Sequence, residues 1–240
     1  AISYFKKIYT TSSPTGINEV ISAIPRRVTE EMNIELTKTF TSEEVLKALQ
    51  QLHPNKAPGP DGMSAIFFHN YWDIVGSNII NMVLSVLNSN LPMTDINKTN
   101  ISLIPKTNQP TKMTEFRPIS LCNTTYKIIS KVLANRLKAI LPNIISENQS
   151  AFTPDRLITD NVLVAFEFMH YLNHKSEGKE NHMSIKLDMS KAFDRVEWNF
   201  IKGVMVKLGF VDKWIDLVMN CVSFVSYSVL INGEACGNIS

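Results

Sequence analysis

Asp188 closes a run in which Met183, Ile185 and Leu187 alternate with Ser184, Lys186 and Asp188. That alternation predicts a half-buried strand ending in a carboxylate. A carboxylate at the polar end of a strand, facing a cleft, suits Mg²⁺, which takes a few hard oxygens together with a substrate's phosphates. A turn-forming Asp at a strand terminus is the plainer reading, and the residues alone leave both open. Asp194, with Glu197 three positions on and the stripe Trp198, Ile201, Met205 and Leu208 behind it, reads as an N-cap or near-cap. Other chemistries find little here. His170 and His174 stand four apart, but Tyr171 and Leu172 follow His170, so the Glu of a zinc-protease helix is missing and an exposed helical pair is expected. There is no nucleophile elbow, and Pro58-Gly59-Pro60-Asp61-Gly62 is too proline-rich for a phosphate nest opening a helix. An aspartyl-phosphate enzyme typically carries a second Asp two positions after the first, where this chain has Ser190.

A second signal is charge. Between Lys98 and Lys138 lie Lys98, Lys106, Lys112, Arg117, Lys127, Lys131, Arg136 and Lys138 against the single Glu115. The local charge is +7 in a chain whose formal charge is +2, which leaves −5 for the remainder. Such asymmetry points to a polyanion, with nucleic acid or a triphosphate leading, or to an unevenly charged solvated face. Three widely spaced cysteines (Cys122, Cys221, Cys236) make neither a disulfide framework nor a zinc knuckle. No stretch reads as a membrane span or a signal peptide, so nucleus or cytoplasm is expected.

The elements that must position these residues follow from caps and periodicity. Thr41-x-x-Glu44 is a capping box that opens a helix with the stripe Val45, Leu46, Leu49 and Leu52. Residues 53–62 (HPNKAPGPDG) can be neither helix nor strand. Helical pattern returns over 65–89, 126–141, 159–173, 195–208 (closed by Gly209) and 212–221. Val225–Ile231 alternates into Asn232-Gly233, a strong hairpin signal. The expected fold class is α+β, a helix-rich front half with an antiparallel sheet beginning at about 183. From the residues alone two functions survive. One is a metal-dependent nucleotidyl or phosphoryl transferase using Asp188; the other is a nucleic-acid-binding module whose carboxylates are structural.

Six blocks, in order, resemble the reverse transcriptases of LINE-type (non-LTR) retrotransposons. They are 55–62 (NKAPGPDG), 101–106 (ISLIPK), 116–121 (FRPISL), 131–137 (KVLANRL), 147–152 (ENQSAF) and 185–196 (IKLDMSKAFDRV). The resemblance covers about 41–240 and implies a right-hand polymerase that adds deoxynucleotides to a DNA primer on an RNA template. It divides the chain into a linker-like 1–40, fingers and finger-palm helices over 41–182, and a partial palm over 183–240. It implies that Asp188 is the first catalytic, Mg²⁺-binding carboxylate of a two-metal site. It further implies that Phe193 excludes a ribose 2′-OH, that Lys106 and Arg117 meet the incoming dNTP, and that Gln149, near Phe152, lies by the nucleotide pocket. Lys56, Lys131 and Arg136 are the expected nucleic-acid contacts, with Asp61 beside Lys56 in the loop.

Relatives of this kind continue into an R-Q-G-D-P-L-S-P block and an F/Y-x-D-D hairpin, whereas this sequence has no Asp-Asp dipeptide. The expectation is therefore a Mg²⁺ site that this chain leaves incomplete and a chain inactive alone. The remainder of a retrotransposon polyprotein is its expected partner. The alternative is a non-catalytic nucleic-acid-binding relic.

Overall fold

A computed structural model describes residues 1–174, 183–189 and 191–239. Its helices are α1 (Ile2–Tyr9), α2 (Ile17–Ser22), α3 (Glu30–Thr37), α4 (Ser42–Gln50), α5 (Ala65–Asn70), α6 (Trp72–Ser89), α7 (Thr124–Ile144), α8 (Ile158–His174), α9 (Ala192–Arg195), α10 (Trp198–Leu208) and α11 (Asp212–Ser223). The strands are β1 (Lys98–Pro105), β2 (Phe116–Cys122), β3 (Ser226–Ile231) and β4 (Glu234–Ile239).

The capping box forms as its spacing requires: the Thr41 N–H donates to Glu44 Oε2 at 3.0 Å. It starts α4 in the register that turns Val45, Ala48 and Leu49 inward, into the core shared with Ile128, Ile129, Val132 and Leu133 of α7 and packed against α5 and α6. Each such side chain, fully buried, contributes about 2 kcal/mol, so this helical core dominates the stability. A smaller core of Phe5, Val229 and Ile239 lies between α1 and the β3–β4 hairpin. Residues 1–40, expected to be linker-like, hold α1, α2 and α3 and supply Phe5, Val28, Leu36 and Phe40 to these two cores. Asn33 ties α3 to the turn after α10, donating to Gly209 O at 2.8 Å and accepting from the Val211 N–H at 3.0 Å.

The sheet departs from expectation in place and in sense. Its order is β2-β1-β3-β4; β1 runs antiparallel to β2 but parallel to β3, and β3 turns into β4 through Asn232 (φ 52°) and Gly233 (φ 89°). Two consecutive positive φ values are what a primed two-residue turn demands, so this hairpin signal read correctly. The strand expected at 183–188 is absent: residues 183–189 are extended coil, with Leu187 89% exposed. Alternation specifies which side chains would share a face, not that a ladder partner exists, and both long edges of β1 and of β3 are already taken. The sheet begins instead at Lys98, in the front half that was expected to be helix-rich, between the helical stretches 65–89 and 126–141. Asp194 is likewise not a cap of the long helix. It sits in the separate one-turn α9, while α10 starts after Glu197, whose carboxylate accepts from the Ser12 N–H (3.0 Å) and hydroxyl (3.2 Å).

Arg136 holds three elements at one point. Its Nε and Nη2 donate to Glu44 Oε1 and Oε2 at 2.7 and 2.8 Å; Nη1 donates to Leu36 O at 2.9 Å and to Lys38 O, and Nη2 to Thr39 O at 3.0 Å. The guanidinium also lies 3.5 Å above the Phe40 ring. Burial alone would push the Glu44 carboxyl up, but hydrogen bonds from Arg136 and the Thr41 N–H hold it below its usual range. Arg136→Ala strands that carboxylate and the carbonyls ending α3, so it should cost about 3 kcal/mol in urea unfolding at neutral pH. A carboxyl held low in the folded state stabilises fully above its unfolded value near 4.5 and loses that contribution as pH falls through the lower folded value. Glu44→Gln should therefore be less stable at pH 7 and show a shallower loss of stability below pH 4.5, read from unfolding curves across pH.

Candidate functional site

A cleft of about 860 Å³ opens where the end of β1, the segment around α9, the hairpin strands and α1 meet. Lys106 and Thr114 line one side, Lys191, Phe193 and Asp194 another, and Tyr9 and Tyr227 are stacked in it with ring centroids 5.1 Å apart. Two sequence-predicted residues thus come together: Lys106 from the ISLIPK block and Phe193 from the IKLDMSKAFDRV block, 87 positions apart in the chain. Lys106 is positioned by the β1–β2 ribbon, whose register continues past the strand into the Lys106 N–H to Glu115 O bond of 2.8 Å; its Nζ donates to Thr114 O at 3.0 Å. Arg117 pairs with Ile104 in the same ribbon, which sets it diagonal to Lys106, exposed and outside the cleft lining.

Phe193 is 83% exposed and meets Phe152 edge to face at 6.2 Å, so the ENQSAF block also reaches this region. Gln149 itself is exposed, with Nε2 3.4 Å from Ala151 O, and does not line the cleft. Asp188 is exposed and three residues short of the cleft wall formed by Lys191. Among the described residues no group of three His, Cys, Asp or Glu is placed to hold a metal ion. Asp188 offers one hard-oxygen ligand, and a Mg²⁺ ion needs more than this donor set supplies. The His170–His174 pair is exposed, with stacked rings and His174 Nδ1 2.9 Å from His170 O, as a helical pair rather than a ligand set.

Sequence reading missed Lys191, Tyr9 and Tyr227. Lys191 donates to the Tyr4 hydroxyl at 2.7 Å and lies 4.5 Å over the Tyr4 ring, which fastens α1 beside the cleft. Burial, then the Asp194 carboxylate, push the Tyr9 and Tyr227 hydroxyls up. The spacing Ile2, Phe5, Tyr9 is a helical stripe that signals an amphipathic α1. No local pattern tells that Tyr227 faces it.

The expected nucleic-acid contacts lie away from the cleft and divide in two. Lys56 is exposed in the 53–62 loop and Lys131 half-buried on α7; neither makes an ion pair among the described residues. Arg136 is a correction: all five of its N–H donors are taken within the fold, so none is left for a phosphate. Lys127, one turn before Lys131, was not singled out; it reaches the loop and donates to Ala57 O at 2.7 Å.

Comparison with known proteins agrees with the blocks. The family described as reverse transcriptase (RNA-dependent DNA polymerase) matches residues 104–237. Over 234 residues the chain is 27% identical to the transposon TX1 uncharacterized 149 kDa protein of Xenopus laevis, covering 97% of this chain and 18% of that protein. It is 25% identical to the retrovirus-related Pol polyprotein from type-2 retrotransposable element R2DM of Drosophila melanogaster, over 97% of this chain and 20% of that one. The chain therefore spans about a fifth of the length of these relatives. With more than half of its residues inside the family match and retrotransposon proteins as relatives along nearly all of it, the chain belongs to the reverse transcriptase family, in its LINE-type (non-LTR) retrotransposon branch.

Proposed function

We propose that these 240 residues carry the nucleotide-facing part of an RNA-templated DNA polymerase: fingers and finger-palm helices over 41–182, part of the palm over 183–240, and a preceding segment over 1–40. In this reading Asp188 supplies the first Mg²⁺-binding carboxylate, Lys106 and Arg117 receive the triphosphate, and Phe193 excludes the ribose 2′-OH with Gln149 nearby. One observation carries it. Lys106 and Phe193, distant in sequence, line a single cleft beside the segment that bears Asp188. Arg suits bidentate phosphate contact and Lys acts as a mobile point charge, so a Lys–Arg pair on one ribbon fits a triphosphate. Two-metal transfer places ions about 3.5–4 Å apart and needs carboxylates on both. Asp188 alone does not furnish that, so synthesis belongs to a longer polypeptide, and what this chain does by itself is hold RNA template and DNA primer through its basic face.

Primer extension on an RNA template with Mg²⁺ and dNTPs should stay at background for the isolated chain, and template-dependent product would overturn this assignment. In a longer polypeptide that supplies further palm carboxylates, Asp188→Asn should bring synthesis to background while RNA affinity, read by fluorescence anisotropy, stays at the unmutated value. Phe193→Ala in the same polypeptide should raise ribonucleotide incorporation relative to deoxynucleotide. Lys131→Ala in the isolated chain should lower the slope of log affinity against log salt by about one, the signature of one lost phosphate contact; a slope that ignores the change rejects Lys131 as such a contact.

A further inference from the structure

The loop 53–62, which the sequence excludes from helix and strand, is stitched to the start of α7 by side-chain hydrogen bonds. Asn123, only 8% exposed, occupies the N-cap position of α7, where an Asn side chain ordinarily accepts from its own helix's N–H groups. It makes no such cap. Its Oδ1 instead accepts from the Asp61 N–H at 3.4 Å, and its Nδ2 donates to Ile96 O at 3.1 Å, just ahead of β1. Two neighbours add to the seam: Thr124 Oγ1 donates to Met63 O at 2.7 Å and Lys127 Nζ to Ala57 O at 2.7 Å. Gly59 fits against the seam because it has no side chain; a Cβ there would stand 2.3 Å from Asn123 Oδ1 and 2.4 Å from the Asn123 backbone nitrogen. Within the loop, the Gly62 N–H reaches Gly59 O at 3.1 Å and the Met63 N–H reaches Asp61 Oδ1 at 3.0 Å.

The seam determines where Lys56 stands. Lys127 and Lys131 are successive turns of one face of α7, about 6 Å apart along its axis. Lys127 Nζ donates to the carbonyl of Ala57, the residue next to Lys56, so the two lysines share a neighbourhood. None of Lys56, Lys127 and Lys131 is in an ion pair among the described residues. A row of unpaired cations on one helix face and a rigid loop is what a phosphate backbone neutralises.

We propose that Asn123 is a positioning residue for nucleic-acid binding: by stitching loop 53–62 to α7 it sets Lys56 in one basic row with Lys127 and Lys131. The inference rests on the reading that these lysines meet template or primer phosphates. Its test uses the full 240-residue chain and a labelled RNA template annealed to a DNA primer, with affinity measured by anisotropy over a salt series. Lys56→Ala should lower the salt slope by about one. Asn123→Ala should produce the same loss with Lys56 in place, and adding Lys56→Ala to it should lower the slope no further. Hydrogen exchange at the Asp61 and Met63 amides should quicken in Asn123→Ala while far-ultraviolet circular dichroism is unchanged. Should Asn123→Ala unfold, Thr124→Val removes only the neighbouring stitch at constant shape and should give the same non-additivity in smaller measure. If Lys56→Ala has the same effect with and without the stitches, Asn123 does not position it and the inference falls while the phosphate reading stands. If neither Lys56→Ala nor Lys131→Ala moves the slope in the otherwise unaltered chain, the phosphate reading falls and takes the inference with it.

Discussion

Four residue pairs, from Lys98 with Ser226 to Ile101 with Val229, join the front of this chain to its hairpin. The pairing is parallel, so it cannot be closed by a turn and needs a long crossover, here containing β2 and α7 to α11. Everything distinctive about the cleft depends on that ladder, because Lys106 extends from one of its strands and Tyr227 belongs to the other. The ladder is reinforced where it starts. Asn97 accepts from the Ser226 N–H through its backbone oxygen at 3.1 Å, and its side-chain amide donates to Cys221 O at 2.9 Å, so the end of α11 and the start of β3 are fixed to the residue before β1. Contacts between residues this far apart must offset the loop-closure entropy of the whole crossover, a cost reduced by the helical core, whose packing is the preparation that lets the two strands meet.

That preparation is visible in how polar groups are allotted. The large core joins α3, α4, α6, α7 and α11 through apolar side chains, but hydrophobic burial is non-directional and fixes no register. Register comes from a few multidentate polar groups. Arg136 joins α7 to the end of α3 and the start of α4; Asn33 joins α3 to the α10–α11 turn; Asn123 joins α7 to the 53–62 loop and the entry to β1. Each replaces a solvated side chain with several directed bonds, and each would leave buried partners unsatisfied if truncated.

Local chemistry was legible in the sequence and long-range chemistry was not. Thr41 and Glu44, three apart, specify a cap that forms, and Asn232-Gly233 specify a turn whose two positive φ values the backbone adopts. The helical pattern over 126–141 read correctly, and six apolar residues of α7 (Ile128, Ile129, Val132, Leu133, Ile140 and Ile144) are buried in the core. The alternation at 183–188 failed for the converse reason: a strand is defined by its partner, and no feature of those six residues supplies one. The strands at 98–105 and 116–122 were hidden because Pro105 and Pro118 lack the N–H that a ladder uses and argue locally against a strand. In the site, the family resemblance pointed to Lys106 and Phe193, which share a cleft, while Tyr9, Lys191 and Tyr227 depend on α1 folding back onto the hairpin. That contact couples the two ends of the chain, and no window of sequence contains it.

The basic stretch sharpens the same distinction, because its eight cations do two different jobs that the residue types themselves anticipate. A guanidinium is planar, carries five donors in fixed directions and is weakly hydrated, so it can be brought inside to bind a carboxylate and three carbonyls while lying on an aromatic ring. An ammonium on a flexible stem is strongly hydrated and loses more when withdrawn from water. Arg136 is accordingly the internal clamp, whereas Lys131, half-buried on α7, makes no ion pair among the described residues, and neither does the exposed Lys56 outside the stretch. Lys127 lies between these cases, half-buried, with one bond to Ala57 O holding a loop. A +7 charge counted from sequence therefore overstates what a polyanion can meet: Arg136, one of the three expected nucleic-acid contacts, spends its donors on the protein's own carboxylate and carbonyls.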